Sequence, residues 1–496
     1  MPPRVSAPAW LYTLPRARTP CVRVVRRLGL CAIWSHRTPC FIKGRQVLAV
    51  GAVPRLRRRE WFAAAAIAVL VLAFLPIVVR KAVWLGQGDV QVFFRAGWAI
   101  WTGYPLYQII DHHGWTYHYP PTFALLMGLF ANPLPGYPQP WWAPPFPAAV
   151  AVWYLINVAC LVAGLHIWAN AIERTRPIEA KAGYLQRHWV LVIGALLALL
   201  PFIGDGLARG QPTPVLLLLI VLFLSRYVER CTAAASFALS LAVTIKIFPV
   251  VLAVIPFMRR DWKFMLWMVS WCGFLLVVLP VVCVGPAEAL DLYRAMFTEH
   301  LFGIASGAMS HEIASQVSPG AFSSIGIGAL VARIAAGDAF YSTPLPQWAF
   351  DIQLAFDAAV VAAIVFLGRG GFWNVRRPQP ADGYPILVAG AVLCAALPLM
   401  IPSAGPQYVT FAVPLMTVLL AETWRRKSAE IVTGVMVVWS IAAWLSMIVQ
   451  EVPWAWLKLV GPMSWVLLVL APPSLTLLRH VSAARRQRCE QKVPGI

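Results

Sequence analysis

Long apolar runs recur along this chain. Ala63 to Val79, Val190 to Ile203, Phe264 to Val284 and Val466 to Leu478 hold no formal charge. At 13 to 21 residues, they approach the roughly 20 that cross the hydrocarbon core of a bilayer. Backbone polar groups inside lipid must bond within their own segment, so these runs predict helices and an all-α integral membrane fold.

The charged residues between the runs predict which way each helix points, because Lys and Arg concentrate on the cytoplasmic side. Arg55, Arg57, Arg58 and Arg59 precede a first span from Trp61 to about Val83, and Trp84 to Phe146 then forms a long external segment. Pro147 to about Ala169 returns to Arg174, Arg176, Lys181 and Arg187. Val190 to Ile203 goes out to a short turn with Asp205, Arg209 and Gln211, and Val215 to Leu224 comes back to Arg226 and Arg230. Thr232 to Phe257 starts and ends inside, since Arg259, Arg260 and Lys263 follow. At roughly 26 residues it is too short for two full crossings. It therefore predicts a short hairpin with its apex near Lys246 and Pro249.

Phe264 to Val284 leads to a second long external segment, Gly285 to Pro346, which includes a re-entrant apolar stretch around Ala321 to Ala335. Spans near 349–367, 385–401, 407–421, 430–449 and 458–478 follow, with Arg376, Arg377, Arg425, Arg426, Lys427, Arg485, Arg486 and Arg488 inside. The pattern amounts to about twelve crossings with both termini cytoplasmic. Residues 60–479 form the multi-span domain and 480–496 a basic cytoplasmic tail.

Composition agrees: the chain is 60% hydrophobic and 12% charged, against roughly 45–50% and 25% for soluble domains. The net charge of +21 suggests nucleic acid at first sight. It is concentrated in residues 1–59, which hold no Asp or Glu, and a cytoplasmic flank accounts for it without a nucleic-acid partner. That leader resembles a transit peptide in composition, an upstream-extended start being the alternative, and it stands outside the fold. The nine cysteines show neither C-x-x-C pairs nor metal-ligand spacing and read as small buried hydrophobes. Asp111, His112, His113 and His118 lack the spacing of a closed zinc set.

Function on a short-looped membrane protein is expected in its two long external segments. Asp89 lies just past the first span, as either a general base for a hydroxyl delivered from the aqueous side or a solvated interfacial carboxylate. Lys246 is an ionisable residue at membrane depth, which is costly and points to a functional cavity, with snorkelling as the alternative. Arg209 and Gln211 sit on an external turn, where Arg suits phosphate geometry. His311 lies in the second external segment. Tyr104, Tyr107 and Tyr119 offer faces and hydroxyls to a sugar ring, although belt positions explain most of the aromatics.

Several short motifs fall in a consistent order against the spans: Asp89, Gly103-Tyr-Pro-Leu-Tyr107, Tyr119-Pro120-Pro121, Arg209-Gly210-Gln211, Thr244-Ile-Lys-Ile-Phe-Pro249 and Arg259-Arg-Asp-Trp262. From about residue 61 to 478 the chain resembles glycosyltransferase family 87, related to the polyprenol-phosphate-mannose-dependent mannosyltransferases of the GT-C class. Ser315-Gln316 departs from an Asn-Gln-Ser type sequence expected there. The resemblance implies a GT-C-like bundle in a bacterial plasma membrane. Such an enzyme moves a hexosyl, here mannosyl, group from a polyprenyl-phosphate sugar to a lipid or glycan acceptor on the outer face, with inversion. Asp89 matches the family's catalytic acid. Lys246, Arg209 and His311 would serve the donor phosphate, and Gln211, Tyr104, Tyr107 and Tyr119 the sugar or acceptor. No cofactor is firmly implied, and a divalent metal is left open. The competing reading is a secondary transporter or lipid flippase using Lys246 and Asp357 for an ion pathway, against which no inverted repeat is evident.

Overall fold

The computed structural model describes residues 72, 74–84, 86, 88–109, 116–175, 184–301, 324–336, 346–368, 383–401, 404–425, 437–446 and 462–480. The leader, the basic tail, His311, Ser315, Gln316 and the Asp111–His113 cluster lie outside them. The described residues are helical, with no β-strand among them.

The main helices are α1 (Val90–Thr102), α2 (Pro121–Met127), α3 (Phe146–Thr175), α4 (Tyr184–Arg209), α5 (Thr213–Val228), α6 (Thr232–Ile245), α7 (Trp262–Val284), α8 (Pro286–Ala295), α9 (Ile327–Ala336), α10 (Gln347–Gly368), α11 (Gly383–Met400) and α12 (Val413–Arg425), with others such as Val254–Met258, Val437–Ser446 and Pro462–Leu468 in addition. Among the described residues α3, α7, α10 and α11 are long and apolar enough to cross a membrane. A fifth crossing results if α4 and α5, bent 118° to one another at their junction, count as one span. The expected span at 407–421 is divided. A 3₁₀ segment, Pro406–Ala412, precedes α12, with Pro406 at its start.

Burial separates the lipid face from the core. Only 17% of the apolar window of α7 is buried, with Leu266, Val269 and Val277 exposed, whereas 83% of that of α11 is covered. An apolar helix that bares its side chains needs lipid around it, while α11 is packed by protein. Small residues let its neighbours close in. A β-carbon on Gly390 would fall 2.5 Å from Leu224 Cδ2 of α5, and one on Gly383 would fall 2.5 Å from Val228 Cγ1.

The direction of α3, α4 and α5 follows from contacts at their ends. Arg174 and Arg226 both donate to Glu229, at 2.7 and 2.8 Å, so α3 and α5 finish at one end of the bundle. Near the start of α3, Trp153 Nε1 donates to the Gly210 carbonyl at 2.7 Å, between α4 and α5. The two helices therefore run the same way and α4 returns between them. This is the alternation that the arginines predict. The 30 residues of α3 reach ~45 Å at 1.5 Å per residue, enough for a bilayer and its interface.

Two sequence expectations change. The first external segment is not a loop but contains α1 and α2, and α1 is buried from Val90 to Ile100. Protein covers even Gln91 and Arg95, which stand four apart on one face, and Gly103, at φ 74°, ends the helix with a left-handed residue. The turn expected from Asp205 onward starts only after Arg209. Asp205 and Arg209 stand four apart on the last turns of α4, paired at 3.0 Å, and the helix continues until Gly210 reverses the chain.

Candidate active site

The Arg209-Gly210-Gln211 turn packs against the start of α1, and the two glycines beside that contact explain how it can. Gly210 has φ +70°, a conformation costly to residues with a β-carbon, and a β-carbon there would lie 2.6 Å from Val90 Cβ. Opposite it, Gly88 would place a β-carbon 3.2 Å from the Arg209 carbonyl oxygen. The backbones thus approach closely enough for Gln211 to reach Asp89, 122 positions away in sequence.

Asp89 precedes the first helical residue of α1, where an aspartate commonly accepts from the exposed N–H groups of the first turn. Its backbone is helical instead (φ −65°, ψ −14°) and its side chain makes no cap. The carboxylate turns to Gln211, whose Nε2 donates to Asp89 Oδ2. Burial pushes the Asp89 carboxyl above its ordinary range, against the lowering pull of the Arg209 charge, the Gln211 hydrogen bond and the Lys246 charge, with Asp205 adding to the rise.

Lys246 reaches the other end of the same amide. Helix α6 stops at Ile245, Lys246 is extended (φ −144°, ψ 137°), and the 3₁₀ segment Phe248–Ala253 follows. The break falls where the short-hairpin reasoning puts it. Pro249, with no N–H to give to the i−4 carbonyl, keeps α6 from continuing. Fourteen residues of α6 carry Lys246 ~21 Å from the turn at Arg230, well into a ~30 Å apolar layer. There its Nζ donates to Gln211 Oε1 at 3.2 Å and to the Tyr408 hydroxyl. It also lies 4.8 Å from the Tyr119 ring centre and 4.4 Å from that of Tyr408. These contacts offset part of the cost of burying an ammonium that is only 6% exposed. The Tyr119 hydroxyl also donates to Gln211 Oε1, at 3.4 Å.

The expected residues thus divide. Asp89, Gln211, Lys246 and Tyr119 form one hydrogen-bonded group, and Arg209, its side chain 36% exposed, stands beside Asp89 at the rim. Tyr107 buttresses this group by donating to the Tyr119 carbonyl at 3.1 Å. Tyr104 packs instead against Trp98 and Tyr137. Asp357 accepts from Gln353 at 2.8 Å, and the same amide donates to the Leu399 carbonyl, which ties α10 to α11. Among the described residues no three His, Cys, Asp or Glu gather as metal ligands would. Tyr408 escapes sequence reasoning because it sits in a stretch that reads as one apolar span. Its signal is the Gly405-Pro406-Gln407 run ahead of it, which marks an interrupted helix.

Fold and site together define an all-helical membrane protein with a buried polar centre built where several distant chain segments meet. The model of glycosyltransferase family 87 matches residues 117–402, and the chain belongs to that family of membrane glycosyltransferases. The match takes in Tyr119, Arg209, Gln211 and Lys246, while Asp89 and Tyr408 lie on either side of it. No curated protein and no solved structure matches the chain.

Proposed function

We propose that this glycosyltransferase is an inverting enzyme of the GT-C type, with about twelve crossings. In this reading it moves a hexosyl, most simply a mannosyl, group from a polyprenyl-phosphate sugar to a lipid or glycan acceptor at the outer face of a bacterial plasma membrane. Asp89 takes the proton of the acceptor hydroxyl as that oxygen attacks the anomeric carbon. The bond from that carbon to the phosphate oxygen breaks on the opposite side, and the lipid phosphate leaves with the electron pair. A carboxylate held in a partly covered site is suited to the first task. The growing charge on the phosphate calls for fixed cations, and Arg209 and Lys246 are the two beside Asp89. His311 is assigned to the same phosphate from the family resemblance. Tyr119 is assigned to the sugar or acceptor, as are Tyr104 and Tyr107, while Gln211, expected from the sequence to join them, has both ends of its amide engaged by Asp89 and Lys246.

The observation that carries the reading is the Asp89–Gln211–Lys246 chain of hydrogen bonds, which gathers a base and a cation from segments far apart in sequence. Orientation is argued from charge. The site lies at the end of the bundle away from Arg174, Arg226 and Arg230, and basic residues favour the cytoplasm. A lipid-linked donor then arrives sideways from the outer leaflet. Membranes holding the wild-type chain or Asp89→Asn are given radiolabelled polyprenyl-phosphate mannose, and label is followed into lipid and glycan. Transfer by the wild type and its loss in the variant are expected. Equal transfer by both would remove Asp89 as the base, and movement of intact substrate across the membrane would favour transport.

A further inference from the structure

We propose that Gln211 is a positioning residue, whose side-chain amide sets the proton-accepting oxygen of Asp89 by spanning from that carboxylate to the Lys246 ammonium. The inference deepens the reading of Asp89 as the base and rests on it.

The chemistry at both ends leaves the amide one orientation. A carboxylate only accepts and an ammonium only donates, so the NH₂ of Gln211 must face Asp89 and its oxygen must face Lys246. The observed contacts have that polarity, and the Tyr119 hydroxyl adds a second donor at the oxygen end. Glutamine suits this place among side chains of its length. Glu would set a second carboxylate against Asp89, Met has neither a strong donor nor a strong acceptor, and a cationic residue cannot accept from Lys246. Gln211 is itself 5% exposed, so the amide is held by protein rather than by bulk water.

Two consequences follow for Asp89. One oxygen, Oδ2, accepts the amide N–H and is made less basic by it, which favours Oδ1 as the oxygen that takes the acceptor proton. The ionised carboxylate also gains a donor while being kept from a direct ion pair with Lys246, a pair that would make it a weaker base. The charged and titratable groups facing Asp89 come from several elements. Arg209 and Asp205 are on α4, Lys246 follows α6, Tyr119 precedes α2 and Tyr408 lies in the segment before α12. Gln211 is the neutral residue that joins the carboxylate to Lys246 and both tyrosines.

The test uses the full chain in lipid vesicles, as wild type, Gln211→Met, Gln211→Glu and Asp89→Asn. Dicyclohexylcarbodiimide modifies protonated carboxyls in apolar surroundings, so its extent of reaction at Asp89 against pH, read by mass spectrometry, reports protonation without substrate. Losing the N–H donor in Gln211→Met is expected to move the labelling midpoint up by about one pH unit. Gln211→Glu, which sets two carboxylates together, should move it further. Turnover with polyprenyl-phosphate mannose is expected to fall ~10- to 100-fold in Gln211→Met with the donor KM unchanged. An unmoved midpoint in Gln211→Met would overturn the inference, as would a loss confined to KM, which would make Gln211 a substrate contact instead. If Gln211→Met does not accumulate, the nearly isosteric Gln211→Glu decides by the same labelling curve. Full turnover by Asp89→Asn would sink the base assignment alone, and labelling of Asp89 would still judge the hydrogen bond.

Discussion

Replacing Gly210 by alanine tests the contact on which the site depends. The substitution has two separable costs. At φ +70° an L-residue is disfavoured, by ~1–2 kcal/mol. The new methyl also falls 2.6 Å from Val90 Cβ, whereas carbon atoms rest at about 3.5–4.0 Å, so turn and helix must separate by ~1 Å. Overpacking of this kind costs ~1–3 kcal/mol, which brings the sum to ~2–5 kcal/mol. Gly103→Ala is the control, since Gly103 has φ +74° and no atom within 4 Å of the added carbon. It carries the backbone cost alone. Thermal unfolding of the two variants in detergent, followed by tryptophan fluorescence, should show the larger fall in Tm for Gly210→Ala. Because Gln211 is the next residue, turnover of Gly210→Ala measured below its unfolding range should also drop, by up to ~100-fold for a shift near 1 Å. Equal Tm losses in the two variants would refute the close-packing argument. Normal turnover in Gly210→Ala would refute the link from this turn to Asp89.

Other expected outcomes rest on the same geometry. Asp89 acts as a base only when ionised, and burial raises its pKa. The acid limb of the turnover–pH profile should therefore rise with pH above the usual aspartate value of about 3.9, and a limb at or below that value would contradict the burial argument. Arg209→Gln removes a charge that draws this pKa down, so the limb should move to higher pH while the donor KM increases. An unchanged KM would detach Arg209 from the phosphate. Trp153→Phe leaves the Gly210 carbonyl without its 2.7 Å donor, a loss of ~1–3 kcal/mol if no water enters, and unchanged thermal stability would show that this bond is dispensable.

Much of the architecture was legible in the chain because lipid imposes a simple rule. Long charge-free runs must be helices, and α3, α7, α10 and α11 lie close to runs that hydropathy alone outlines. Basic residues also foretold that α3 and α5 end on the same side, which their shared pairing with Glu229 bears out. Lys246 stood out because a charge at membrane depth needs a reason.

Hydropathy misled where burial came from protein rather than lipid. The segment holding α1 reads as a loop because it follows a span and contains polar residues, yet it forms a helix covered by its neighbours. Tyr408 is passed over because its part of the chain reads as one apolar span, despite the Gly405-Pro406-Gln407 run just ahead of it. Only tertiary structure decided that Asp89, Gln211, Lys246 and Tyr408 meet. A hydrogen bond depends on two atoms arriving within about 3 Å, and here the partners come from segments separated by 122, 35 and 162 positions. Sequence alone determined that such polar residues in an apolar setting needed partners. Helix packing, with Gly210 and Gly88 admitting the close approach, selected which partners they have.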